Sequence, residues 1–155
     1  MSSTAVWRWA PAPRPGLFVT LSVPAIVAMA RADGDPLHLR ATQEFHLDDH
    51  PQFPGERKVV TDAYAYTLSE SPELADELLA WHWQPESGRE PHMHIGRAHA
   101  RLGELGRLHV PSGRIAFEQV LLFVINELEV VPAREDAKEV LSEVLERFRQ
   151  YRTWG

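Results

Sequence analysis

The hydrophobic period of this chain changes once, and that change limits the fold more than any other feature. From residue 37 to 47, Leu37, Leu39, Ala41, Gln43, Phe45 and Leu47 alternate with His38, Arg40, Thr42, Glu44 and His46. A period of two assigns each set to its own face of a strand. Residues 17–23, 59–68, 78–84, 91–95 and 107–110 read as further strands, on β-branched and aromatic content and on turn residues between them. Residues 24–32 fit either a short helix begun by Pro24 or a strand closed by Asp33-Gly34-Asp35-Pro36. Beyond residue 116 the spacing turns helical. Phe117, Val120, Leu121, Val124 and Leu128 fall at helical intervals, with Leu122 and Ile125 widening the apolar face. Pro132 interrupts the pattern, which resumes through Ala137, Val140, Leu141, Val144, Leu145, Phe148 and Tyr151. Helices are therefore predicted over 117–128 and 133–152. Strands followed by helices give an α+β fold, an antiparallel β-sheet with two C-terminal α-helices packed on one face.

At 155 residues the chain fits one domain with a full core. Residues 1–16, with Trp7, Trp9 and several prolines, read as an N-terminal arm, and 17–155 as the single domain. The apolar stretch 17–32 is broken by Thr20, Ser22 and Pro24 and falls short of the roughly 20 apolar residues a spanning helix needs. No signal-type run precedes it, so a cytoplasmic protein without a membrane partner is expected. Cysteine is absent, which excludes disulfides, a thiol nucleophile and thiolate metal sites. The net charge of −6 argues against indiscriminate binding of polyanions. Charge is uneven, however. Acids dominate residues 44–77, whereas Arg89, Arg97, Arg101, Arg107 and Arg114 outnumber Glu86, Glu90 and Glu104 in the next window. An anion-tolerant patch there competes with a plain solvated loop of mixed charge.

One segment carries chemistry. Trp81-His82-Trp83 and His92-Met93-His94 flank the turn-forming run Gln84-Pro85-Glu86-Ser87-Gly88. Alternation puts His92 and His94 on the same face of a strand. Pairing Gln84 with Pro91 sets Trp83 opposite His92 and Trp81 opposite His94, and leaves His82 on the other face. A one-residue bulge would bring His82 across. Three roles then compete. Acid–base catalysis would use His92 and His94 as proton acceptor and donor, with Arg89 or Arg97 steadying a phosphate, as in metal-independent cleavage of RNA. Metal binding would need a third ligand, from His82, His109, His46 or an acid. A structural role, a polar and aromatic face without chemistry, is the plainest of the three. Trp81 and Trp83 are candidate substrate contacts, although core packing explains them as well. Asp48-Asp49-His50 has metal-ligand types but sits in a Pro-rich turn. No phosphate loop, serine elbow or dinucleotide fingerprint is present, and the acid–base reading calls for no cofactor and no metal.

The order of Ala63-Tyr64-Ala65-Tyr66, Trp81-His82-Trp83, a polar loop with Gly88, His92-Met93-His94-Ile95 and an apolar helix from Phe117 resembles the TumE-like family. These are small prokaryotic toxin components of toxin–antitoxin modules. The match spans residues 59–128, and Glu90-Pro91 stands where the family carries a Gly-Asp pair. The resemblance implies a toxin-like protein acting on RNA and held by a partner antitoxin. Residue chemistry adds His92 and His94 as catalytic groups, with Arg89, Arg97, Trp81 and Trp83 at the substrate. The expectation from another class is a non-enzymatic protein-binding module, whose apolar first helix (Leu122, Phe123, Ile125) forms a homo-oligomer or hetero-complex face.

Overall fold

The computed structural model describes residues 18–22, 26–96 and 108–151. Among the described residues seven strands and two α-helices follow one another: β1 (Phe18–Ser22), β2 (Val27–Met29), β3 (Leu37–Asp49), β4 (Arg57–Ser69), β5 (Glu77–Trp83), β6 (His92–Ile95), β7 (Val110–Pro111), α1 (Phe117–Glu127) and α2 (Ala137–Tyr151). The sheet is antiparallel in the order β1-β3-β4-β5-β6-β7, and β2 also pairs with β3. The α+β architecture expected from the change of period is the one observed. The ambiguous segment 24–32 contributes a strand, β2. The second helix begins at Ala137 rather than at residue 133, because Arg134 closes a fork on the Asp136 carboxylate at 2.9 and 2.7 Å just before it. The N-terminal arm 1–16, Trp7, Trp9, Arg97 and Trp154 lie outside the described residues.

Alternation works as the sequence implies. Leu39, Ala41, Tyr64, Tyr66, Trp81 and Trp83 form one buried face against Val120 of α1, flanked by Met93, Phe117, Leu121 and Phe123. Burying a large apolar side chain stabilises the fold by about 1.5–3 kcal/mol, so this layer dominates the core. A second cluster, Leu37, Leu68, Val124 and Val130, continues it towards the end of α1. The α1 residues Leu121, Leu122, Phe123 and Ile125 are half-buried, as a helix lodged between the sheet and α2 requires.

Polar groups inside the layer are paired. Tyr64 and Tyr66 stack with centroids 4.9 Å apart. Tyr66 Oη donates to Gln43 Oε1 at 3.0 Å, while Tyr64 Oη accepts the Ile115 N–H at 3.1 Å and so holds the entry to α1. The exit from α1 is held as well. Glu129 adopts φ 57, Ala32 N–H donates to its carbonyl at 3.0 Å, and Arg31 Nε donates to the Leu128 carbonyl at 3.2 Å. These bonds tie α1 to the segment that follows β2.

Candidate functional site

The loop between β5 and β6 decides which histidines meet. Pro85–Ser87 forms one 3-10 turn, and Gly88 closes it at φ 68 with its N–H on the Pro85 carbonyl at 3.0 Å. That left-handed backbone suits glycine and penalises side chains. Pro91 has no N–H to give to β5, so the ladder starts one residue later, at His92. The observed register is His82 opposite His92, Trp81 opposite Met93 and Ala80 opposite His94. It lies one residue from the pairing of Trp83 with His92, and of the two registers that the sequence left open it is the one that brings His82 across. Because side chains alternate, that single residue exchanges the faces.

Trp81 and Trp83 consequently lie in the helix-side core, 4% and 7% exposed, and His82, His92 and His94 share the opposite face. Trp81 meets Phe123 edge-on at 5.9 Å, and the Arg114 guanidinium covers Trp83 at 3.7 Å. In this arrangement the indoles support the hairpin from behind and are separated from the histidines by the sheet itself.

The next strand completes the cluster. β7 pairs with β6 as His92 with Pro111 and Met93 with Val110. Continued by one residue, this register puts His109 across from His94. The rings agree: His109 lies 4.6 Å from both His92 and His94, centroid to centroid. His82 lies 5.8 Å from His92 and 5.2 Å from His94, and His92 and His94 are 5.2 Å apart. Four imidazoles, from β5, β6 and the residue just before β7, thus form one patch. His92 and His94 are buried at 9% and 3% exposure, His82 is half-buried and His109 is exposed.

Within the patch, His82, His92 and His94 each present a ligand nitrogen, and these atoms all lie within 4.8 Å of one another. A tetrahedral ion with bonds of about 2.0–2.1 Å keeps its nitrogens roughly 3.3 Å apart, within reach of small side-chain rotations. His92 is oriented for the task. Its Nδ1–H donates to the Glu90 carbonyl at 2.8 Å, which fixes the tautomer and leaves Nε2 as the unprotonated nitrogen that could bind an ion. A carbonyl accepts only from a protonated nitrogen, so the tautomer follows from the bond.

Of the residues expected from sequence, His92 and His94 come together, and Arg89 joins them through His109. Its Nη1 donates to the His109 ring, 3.1 Å from Nε2 and 3.4 Å from Nδ1. Arg89, Glu90, Pro91, His92, His109 and Pro111 line a cavity of about 320 Å³ beside the cluster. His46 and Asp48-Asp49-His50 take no part. His46 Nδ1 pairs with Asp62 at 2.8 Å on β3 and β4, and His50 Nδ1 accepts the Gln52 and Phe53 N–H groups in its own turn. His82 and His109 are the members that sequence spacing alone did not select. Their signal was the register of two consecutive antiparallel pairings. No family model, no curated protein and no solved structure matches the chain.

Proposed function

We propose that this protein is a metal-dependent enzyme of hydrolytic type, in which His82, His92 and His94 hold one divalent transition-metal ion. The observation that carries the reading is the convergence of three imidazole nitrogens within 4.8 Å on one sheet face. Burial of His94 and the backbone anchor on His92 support it, since a ligand must be held in one tautomer and direction. Imidazole donors without thiolate or carboxylate suit zinc and its neighbours. Three neutral histidines leave the ion its full charge and a fourth position for water, the donor pattern of catalytic rather than closed structural zinc. Bound water on such an ion ionises near neutral pH and becomes the nucleophile for hydrolysis. The test is equilibrium dialysis against zinc, followed by metal analysis. One ion per chain in the wild type, lost in His82→Ala, supports the reading, and absence of zinc from the wild type refutes it.

A second reading keeps His92 and His94 as acid and base in metal-independent RNA cleavage by a toxin-like protein with an antitoxin partner. The contact of Arg89 with His109, beside both rings, favours it, because a phosphate could be steadied there. Chelation separates the two. RNA cleavage that persists in EDTA and disappears in His92→Ala selects the second reading.

A further inference from the structure

We infer that Arg89 and His109 form a subsite for the phosphoryl group of a phosphate-ester substrate, beside the histidines that would hold the metal. This rests on the metal reading above and adds the substrate class. The cavity lined by Arg89, His92 and His109 touches the metal cluster through His92, a ligand, and reaches Arg89 on its outer wall. Of the three histidines that would hold the ion only His92 lines the cavity, so a group seated in it would lie beside one ligand of the metal and against a guanidinium.

Arg89 is suited to an anion. Among the described residues its guanidinium meets the His109 ring and no carboxylate, so its charge is not neutralised by an acid. A guanidinium has five N–H donors in a planar fork, and only Nη1 is turned to His109. The remaining donors match two oxygens of a phosphoryl group. Glu90 lines the same cavity; its backbone carbonyl is engaged by His92 Nδ1–H, and its carboxylate, which is exposed, opposes an anion there and leaves Arg89 as the group that attracts one. Pro91 and Pro111 supply apolar walls and no N–H donors, so the cationic donor in the lining is Arg89. Its volume of about 320 Å³ suits one ester headgroup rather than a folded nucleic acid. His109 is exposed and stands between Arg89 and the other rings, so it is a positioning residue that sets the direction of the guanidinium.

Calorimetric titration of the zinc-loaded protein with inorganic phosphate tests the subsite. Zinc content is measured first on each sample. In Arg89→Gln we expect one zinc per chain and phosphate affinity lower by about ten- to a hundredfold, the effect of losing a charged hydrogen bond. Arg114→Gln removes a charge over Trp83, on the other face of the sheet, and should leave phosphate affinity within about twofold of wild type. Phosphate affinity in zinc-loaded Arg89→Gln equal to wild type overturns the subsite while the metal reading stands, and so does a failure of the zinc-loaded wild type to bind phosphate. A wild type that takes up no zinc overturns the metal reading, and the substrate class with it.

Discussion

His82 on β5 lies directly opposite His92 on β6, with ring centroids 5.8 Å apart. This one pairing turns a two-histidine strand into a three-histidine face. It depends on Pro91, which delays the ladder, and on the turn ending at Gly88, which takes up the residues between. The register therefore links a loop sequence to the proposed chemistry.

Replacing His82, His92 or His94 by alanine should each lower zinc affinity by more than about 100-fold, since loss of supporting outer-shell groups alone costs 10–100-fold. His82→Ala is the informative member. A pure His92/His94 acid–base pair has no use for His82, so unchanged zinc uptake in that variant would remove it from the site. His38→Ala, on β3, should leave zinc uptake unchanged.

Metal should also stabilise the fold. A ligand at about 100 times its dissociation constant adds about 2.7 kcal/mol. For a chain of this size that corresponds to a rise of roughly 5–10 °C in melting temperature. The rise should vanish with EDTA and shrink in acid, because protons compete with metal for the same nitrogens. A melting curve insensitive to zinc at neutral pH contradicts this.

Tyr66 gives an alkaline signature. Burial, reinforced by Tyr64 and Glu118, pushes its phenol well above the usual tyrosine range. The folded state therefore holds the proton after the unfolded chain has lost it. Stability from this group is intact below about pH 10 and declines as pH rises further. Tyr66→Phe should cost about 1 kcal/mol at pH 7, through loss of the bond to Gln43. Its denaturant midpoint should then fall less steeply than that of wild type above pH 10. Parallel declines in the two proteins would show that Tyr66 does not set the alkaline limit.

Glu129 follows α1 at φ 57, and its carboxyl is held above the usual range by the neighbouring Asp33, through a hydrogen bond and charge repulsion. Left-handed backbone costs a non-glycine residue about 1–2 kcal/mol. Glu129→Gly should raise unfolding stability by up to about 1 kcal/mol, since glycine also gains freedom in the unfolded chain. Urea denaturation checks the sign, and a destabilised variant would mean that the Glu129 side chain contributes more than the strain it carries.

Much of the fold was legible because it rests on local periodicity. Leu37 to Leu47 alternates visibly, and Phe117 to Leu128 recurs at helical spacing, so both elements formed where the pattern put them. The face of Trp81 and Trp83 was not legible, since it turns on one residue of register, set by a proline and a glycine turn whose combined geometry the sequence does not state. The same uncertainty hid the site. His92 and His94 share a face by alternation alone, whereas His82 and His109 join them only through the pairings of β5 with β6 and β6 with β7. Start of the second helix was misplaced because the Arg134–Asp136 fork offers its first residues a competing partner.

Titration with Co²⁺, watched through its visible ligand-field absorption, tests the metal centre most directly. Cobalt takes the place of zinc and reports both stoichiometry and geometry. The structure predicts intense four-coordinate bands that saturate at one ion per chain, and their loss in His82→Ala as well as in His92→Ala. A weak six-coordinate spectrum identical to that of free cobalt, or a His82→Ala spectrum equal to that of the wild type, would contradict the three-histidine centre.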